Sequence, residues 1–265
     1  MTVESNSRSI NGISAVIITK DAARSLAACL KSVAFCDEVL VVDSGSTDDT
    51  LAIARDTGAR IVECAWRGFG PTKQFAVEQA AHDLIVSIDA DEMVTDELRD
   101  AILALRSERA AGHTAWQVAR RNRFMGRYLA HGEGYPDWCL RVFDRRHARW
   151  SDDLVHERVI VDGDAAPGRL GGDLLHDSVD SMESYVAKQN RYSTLAAEAA
   201  FARGKTSSAV QLFLSPLARF IRFYFVRRGF LDGVPGLVHI LIGCQASFLK
   251  HAKSLALQAA RKAAR

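Results

Sequence analysis

The chain has 265 residues, 48% of them hydrophobic and 25% charged, with a formal net charge of +2. That size supports one sizeable core, or a domain with a helical extension, and the charge content excludes a disordered or fibrous chain. The near-neutral total hides an asymmetry. From Ala199 onward there are eleven Lys and Arg against one acid, Asp232, so this last quarter carries +10 and residues 1–198 carry −8. Five cysteines (Cys29, Cys36, Cys64, Cys139, Cys244) are scattered with no Cys-x-x-Cys pair. Their number and spacing predict free thiols in a reducing cytoplasm and argue against a zinc site. Met1 to Asn11 is polar and lacks the apolar region of a secretory signal. No uncharged apolar run reaches the roughly 18 residues that read as a bilayer span.

Ile13 to Ile18 reads as a buried parallel strand, followed by Leu26, Leu30 and Val33 at helical spacing. Val39 to Asp43 is a second buried strand. Ser46 with Asp49 three residues on predicts a capping box, and Gly58 a helix stop. Ala59 to Glu63 is a shorter third strand. Pro71 opens a helix carrying Phe75, Val77 and Ala80. Leu84 to Asp89 is the fourth strand, and Thr95 caps a helix with Leu98, Ile102 and Leu105 on one face. This alternation predicts a parallel sheet with helices on both sides. Residues 114–176 break the rhythm, and pieces such as Leu140 to Phe143 and Val159 to Asp164 predict antiparallel segments and loops. From Asp180 the chain turns helical. Asp180 with Glu183 predicts a cap for a helix over Ser181 to Arg203, stopped by Gly204. Helices over Val210 to Arg228 and Leu237 to Leu257 follow, with Gly229, Gly233, Pro235 and Gly236 as punctuation between them.

The chemistry concentrates in Ser87-Ile88-Asp89-Ala90-Asp91-Glu92. An apolar strand ending in Asp-x-Asp places carboxylates at the carboxyl edge of the sheet, where open α/β sheets hold ligands. Two hard oxygen donors there suit Mg²⁺ or Mn²⁺ carrying a diphosphate. Asp is also common at strand ends, but here two strand-helix units precede the motif. Alternation sends the two carboxylates different ways, with Asp91 as the direct metal ligand. Asp43, also at a strand end, is placed to accept a nucleobase N–H or a ribose hydroxyl. Asp137, in Gly134-Tyr-Pro-Asp-Trp138, reads equally as a general base or as an acid that orders the turn after Pro136. His156, beside Glu157, and His176 are candidate third ligands, although a lone His is more often structural. Arg120, Arg121, Arg123, Arg127 and Arg141 form a basic series, of which one or two can hold an anion and the rest form a solvated face.

Together these residues resemble the family 2 glycosyltransferases, inverting enzymes of the GT-A fold. The resemblance rests on Ile13 to Thr19 with its Lys20-Asp21 turn, Val41 to Asp48, Gly68-Phe-Gly-Pro-Thr-Lys-Gln74 and Asp89-Ala-Asp91. Arg121 to Gly126, Tyr135 to Phe143, Val155-His-Glu157 and Gly229-Phe-Leu-Asp-Gly233 make it similar to the lipopolysaccharide-core β-1,4-glucosyltransferase subgroup. The resemblance implies a GT-A catalytic domain over 1–179, with a mostly parallel sheet, and a helical, basic, membrane-associated extension over 180–265. It implies a donor site of Thr19, Asp21, Asp43, Ser44, Lys73 and Asp89, a metal on Asp91 with His156 or His176, and Asp137 as base. Arg121, Arg141 and Trp138 would face the acceptor. The implied donor is a UDP-linked hexose, with glucose expected, and the acceptor a glycolipid. Two departures stand out: the family's usual Asn-Glu is Asp21-Ala22 here, and its usual Arg-Asn is Lys73-Gln74.

In the basic last quarter, Phe213, Leu214, Leu217, Phe220, Ile221, Tyr224 and Phe225 form an apolar face with Arg219, Arg222, Arg227 and Arg228 around it. This reads either as a helix packed on the catalytic core or as an interfacial helix on the cytoplasmic face of the inner membrane. Interleaving of cations with bulky apolar residues suits lipid better than nucleic acid. A dehalogenase-like phosphatase also uses Asp-x-Asp, but on its first strand. A non-catalytic nucleotide-sugar-binding or scaffold protein would need Asp43 without Asp91 and Asp137.

Overall fold

The computed structural model describes residues 12–106, 112–153, 157–163, 166–178 and 181–263. The chain forms two compact units. One comprises Met1–Arg121 with Asp137–Asp177, the other Asn122–Pro136 with Ser178–Arg265.

In the first unit the elements are β1 (Ile13–Thr19), α1 (Ala23–Ser32), β2 (Glu38–Asp43), α2 (Thr50–Asp56), β3 (Arg60–Glu63), α3 (Phe69–Gln79), β4 (Leu84–Asp89), β5 (Glu92–Val94) and α4 (Asp96–Ala104). They continue with β6 (Ala115–Phe124), whose end runs into the second unit to pair with β7 (Arg127–Tyr128), then β8 (Asp137–Asp144), β9 (Ala148–Trp150), β10 (Val159–Val161) and β11 (Gly168–His176). The main sheet runs β3-β2-β1-β4-β8-β6-β11-β5. Its β3-β2-β1-β4 half is parallel, while β8 runs antiparallel to both β4 and β6, and β11 to β5. The sheet is therefore mixed, with the rhythm changing after residue 114 as the sequence indicates. Period-two alternation along the strands feeds two cores. Ile13, Ala15, Ile17 and Val41 pack with Leu26, Leu30, Ala54, Leu98 and Ile102 of α1, α2 and α4. Val16, Leu40, Val42 and Ile85 face the other way, onto Ala76 and Val77 of α3 and Trp150 of β9. Helices thus cover both faces.

Local signals hold at Gly58, with φ of 76°, and at Thr95, whose hydroxyl accepts from the Leu98 N–H. The Ser46–Asp49 capping box does not form. α2 begins at Thr50 with no side-chain cap, because the Ser46 hydroxyl is drawn back to Asp43 instead. Pro71 is the third residue of α3, not its first, and Gly68 precedes the helix with φ of 99°.

The second unit holds α5 (Met182–Ala202), α6 (Ala209–Phe220), a π-helical turn (Ile221–Val226), a 3₁₀ turn (Gly229–Asp232) and α7 (Gly233–Ala263). Ser181 caps α5, its hydroxyl accepting from the Ser184 N–H, and Asp180 lies outside the described residues. Pro235 and Gly236 do not separate helices but sit in the first turn of α7. The N–H that proline lacks would have no intrahelical partner there. Asp232, fully buried, accepts from the backbone N–H groups of Ala130 and His131, which fastens the 130–131 segment. Among the described residues two stretches are long and apolar enough to cross a membrane by length and composition. Ala209–Val226 has mean hydropathy 1.3 and nothing buried, and Gly229–Ala263 has 1.2 with 39% of its most apolar window buried. A scan for uncharged runs passes over the first because Arg219 and Arg222 interrupt it.

Candidate active site

Asp43 closes β2 and organises the turn that follows. Its Oδ2 accepts from the backbone N–H groups of Gly45 and Ser46, both at 2.9 Å. Its Oδ1 accepts from the Thr19 hydroxyl at 3.0 Å and the Ser46 hydroxyl at 2.5 Å. Burial opposes its charge, but the hydrogen bonds from Ser46, Thr19 and Gly45 hold the carboxyl below the usual range. Four donors fill the four lone-pair directions of a carboxylate. Asp21 completes the turn from the other side, accepting from the Thr47 N–H at 2.7 Å with its own backbone at φ 51°. The buried Ser44 hydroxyl at this edge has no hydrogen-bond partner among the described residues.

At the end of β4 the acids and bases interlock. Lys73, buried on α3, pairs with Asp89 Oδ1 at 2.8 Å and Glu157 Oε1 at 2.9 Å, and lies 4.7 Å from the Trp150 ring centroid. Arg141 Nη2 donates to Asp89 Oδ2 and to Glu92 Oε1, both at 2.7 Å. Arg120 reaches Glu92 Oε1 at 3.4 Å and grips Asp137 Oδ2 through Nε at 3.0 Å and Nη2 at 2.7 Å. Cross-strand register explains the last pair, since Arg120 of β6 and Asp137 of β8 are direct partners. Burial resists charge on Asp89, yet Arg141 and Lys73 hold its carboxyl well below the usual range. A chain of ion pairs thus runs from Lys73 through Asp89, Arg141, Glu92 and Arg120 to Asp137. Asp137 Oδ1 makes no hydrogen bond among the described residues and its side chain is 41% exposed.

Asp91 stands apart from this chain. The tight turn between β4 and β5 sends it the other way, with Oδ2 at 3.4 Å from His176 Nε2 at the end of β11. Among the described residues no three His, Cys, Asp or Glu side chains group as a metal site. One carboxylate oxygen beside one imidazole nitrogen still fits a small divalent cation that takes its remaining ligands from a diphosphate and water. His156 lies outside the described residues. Arg121 Nη1 pairs with Asp173 at 3.2 Å, and Arg169 lies 4.5 Å from the centroid of the Trp138 ring.

The sequence profile described as Glycosyl transferase family 2 matches residues 14–159, more than half of the chain and every element from β1 to β9. The chain belongs to glycosyl transferase family 2. As a family 2 glycosyltransferase it is 33% identical over 249 residues to a lipopolysaccharide core biosynthesis glycosyltransferase of Rhizobium meliloti (strain 1021), covering 91% of each chain. It is 34% identical over 255 residues to a glycosyltransferase of Rickettsia felis, covering 91% of this chain and 88% of that one. Among solved structures it is similar to glucosyl-3-phosphoglycerate synthase from Mycobacterium tuberculosis in complex with Mn²⁺, UDP and glucosyl-3-phosphoglycerate. That match has TM-score 0.36 and 24% identity, and covers 42% of this chain and 44% of that one.

Two members of this glycosyltransferase's charge chain were not singled out by sequence reasoning. Glu92 follows the Asp-x-Asp without standing out from it, and Arg120 is one of a basic series. The available signal was a charged residue inside a segment that is otherwise strand-like, such as Glu92 before Met93 and Val94. Arg141, expected at the acceptor, is nearly buried and committed to two carboxylates.

Proposed function

We propose that this family 2 glycosyltransferase moves a hexose, glucose first among the candidates, from a UDP-linked donor to a lipopolysaccharide-core or similar glycolipid, inverting the anomeric centre. The observation that carries the reading is the continuous run of ion pairs from Lys73 to Asp137 at the carboxyl edge of the sheet. It presents one carboxylate oxygen, Asp137 Oδ1, unengaged at its end among the described residues. That oxygen takes the proton of the acceptor hydroxyl as it attacks the sugar from the face opposite the leaving diphosphate. The Asp43 turn, with Thr19, Ser44 and Asp21 beside it, receives the nucleoside, and Asp89 and Lys73 flank the sugar and diphosphate. Arg121 and Trp138 lie towards the acceptor. Mg²⁺ or Mn²⁺ held by Asp91 and His176 would supply Lewis-acid neutralisation of the departing diphosphate. In the second unit Phe213, Leu214, Leu217, Ile221 and Phe225 are all exposed on α6 and the π-helical turn, among basic residues, and we infer that this surface docks on the cytoplasmic face of the inner membrane, the location expected for a glycolipid acceptor. The relationship to the Rhizobium meliloti lipopolysaccharide core enzyme supports the acceptor class.

The test is UDP release from UDP-glucose with lipooligosaccharide as acceptor. Asp91→Asn should lose turnover by about 10²-fold or more while folding normally, as removal of an electrostatic stabiliser of the leaving group predicts. Asp137→Asn should bind UDP and fail to transfer. Near-normal turnover in Asp91→Asn removes the metal assignment.

A further inference from the structure

Glu92 is fully buried on β5. Its Oε2 accepts the Asp89 backbone N–H at 2.9 Å, which ties it to the strand end that carries the Asp-x-Asp motif. Its Oε1 takes Arg141 Nη2 at 2.7 Å and Arg120 Nη1 at 3.4 Å. Each arginine holds a second carboxylate, Asp89 for Arg141 and Asp137 for Arg120. A carboxylate with no access to water is kept only where partners offset its desolvation, and losing one partner of such a group exposes the rest. Glu92 is therefore the common anion between two guanidinium groups. Without its charge, Arg120 has only Asp137 to turn to among the described residues, and Arg141 only Asp89. The 3.4 Å contact to Arg120 is the longest link in the series, so it is the link most readily surrendered.

We propose that Glu92 is a positioning residue of the transfer reaction. By sharing itself between Arg120 and Arg141 it sets the placement of Asp137 and Asp89 together, so that the acceptor side and the donor side are aligned by one buried side chain. The proposal rests on Asp137 acting as the base. A misplacement of about 1 Å in a reacting group can lower a rate by about 10²-fold, and that is the size of effect expected here.

The experiment compares Glu92→Gln, Arg120→Gln, the double variant and Asp137→Asn in the full-length protein. It records thermal unfolding, calorimetric binding of UDP with Mn²⁺, and kcat for UDP release from UDP-glucose with lipooligosaccharide. Glu92→Gln should bind UDP like the wild type and lose about 10²-fold in kcat. The double variant should be slower than Arg120→Gln alone by clearly less than the Glu92→Gln factor, because Arg120 carries one of the two links through which Glu92 acts. Equal losses in UDP affinity and kcat, or losses that multiply in the double variant, overturn the proposal in favour of a purely structural role. Should Glu92→Gln fail to fold, Arg120→Gln carries the test, and unchanged kcat in that variant overturns it. Asp137→Asn separates the two levels. If it is inactive while Glu92→Gln turns over normally, only the role of Glu92 falls; if it is active, the base assignment falls as well.

Discussion

Asp43 shows how much a single side chain can be asked to hold. Its carboxylate gathers Thr19, Gly45 and Ser46 into one turn, using backbone and hydroxyl donors alone. Asp43→Ala strands those donors in a buried setting, and the expected loss is about 1–3 kcal/mol, measured by urea unfolding. Its pH dependence has a definite sign. The folded carboxyl titrates below its unfolded value of about 3.9. The stabilisation is therefore complete above that pH and disappears as pH falls through the lowered folded value. Urea midpoints compared at neutral pH and near pH 3 should fall less for Asp43→Asn than for the wild type; parallel losses would show that the turn does not depend on this charge. Thiols offer a contrast. All five cysteines are free, and burial, with Asp37 beside it, pushes Cys36 up to about 12, which leaves it inert at neutral pH.

Elements position these residues through close backbone contacts that leave little room. Lys73 reaches Asp89 because α3 starts hard against the segment after β9. Gly70 donates its N–H to the Asp153 carbonyl at 3.2 Å, and a Cβ there would meet the Ser151 carbonyl oxygen at 2.1 Å. Gly70→Ala must push the start of α3 away, at an expected cost of about 1–3 kcal/mol. The Lys73 ammonium is one turn further on, so turnover should fall together with stability. A variant with wild-type melting and wild-type rate would show that the helix start can give. The candidate acids could be picked out from sequence because a buried strand ending in Asp has a recognisable pattern. Their partners could not. Arg120 meets Asp137, 17 residues further along the sequence, through antiparallel register between β6 and β8. Ser46, which looks like a cap, serves Asp43 because the chain between β2 and α2 curls back before the helix starts.

At the scale of the molecule, the charge asymmetry and the exposed apolar stretch coincide on one unit. Phe213 is 69% exposed, Val226 73% and Phe225 57%, and Arg222 and Arg228 are exposed beside them. This exposure is the observation on which the membrane-docking proposal for the segment rests. Vesicles containing phosphatidylglycerol should float the protein at low salt. Binding should weaken with ionic strength and with Arg222→Glu plus Arg228→Glu, by about 1 kcal/mol per charge removed near the surface. Failure to float at low salt would dismiss the docking idea. The sequence by itself determined the four parallel strands, the two-faced α/β core, the family and the basic helical end, because each depends on local periodicity or on contiguous motifs. Tertiary structure alone decided that residues 122–136 join the C-terminal helices. It alone decided that Asp89 is held between Lys73 and Arg141, and that a buried Glu92 sits between two arginines from β6 and β8. Such pairings depend on which strands become neighbours, and a charge buried by distant partners leaves no periodic trace in the chain.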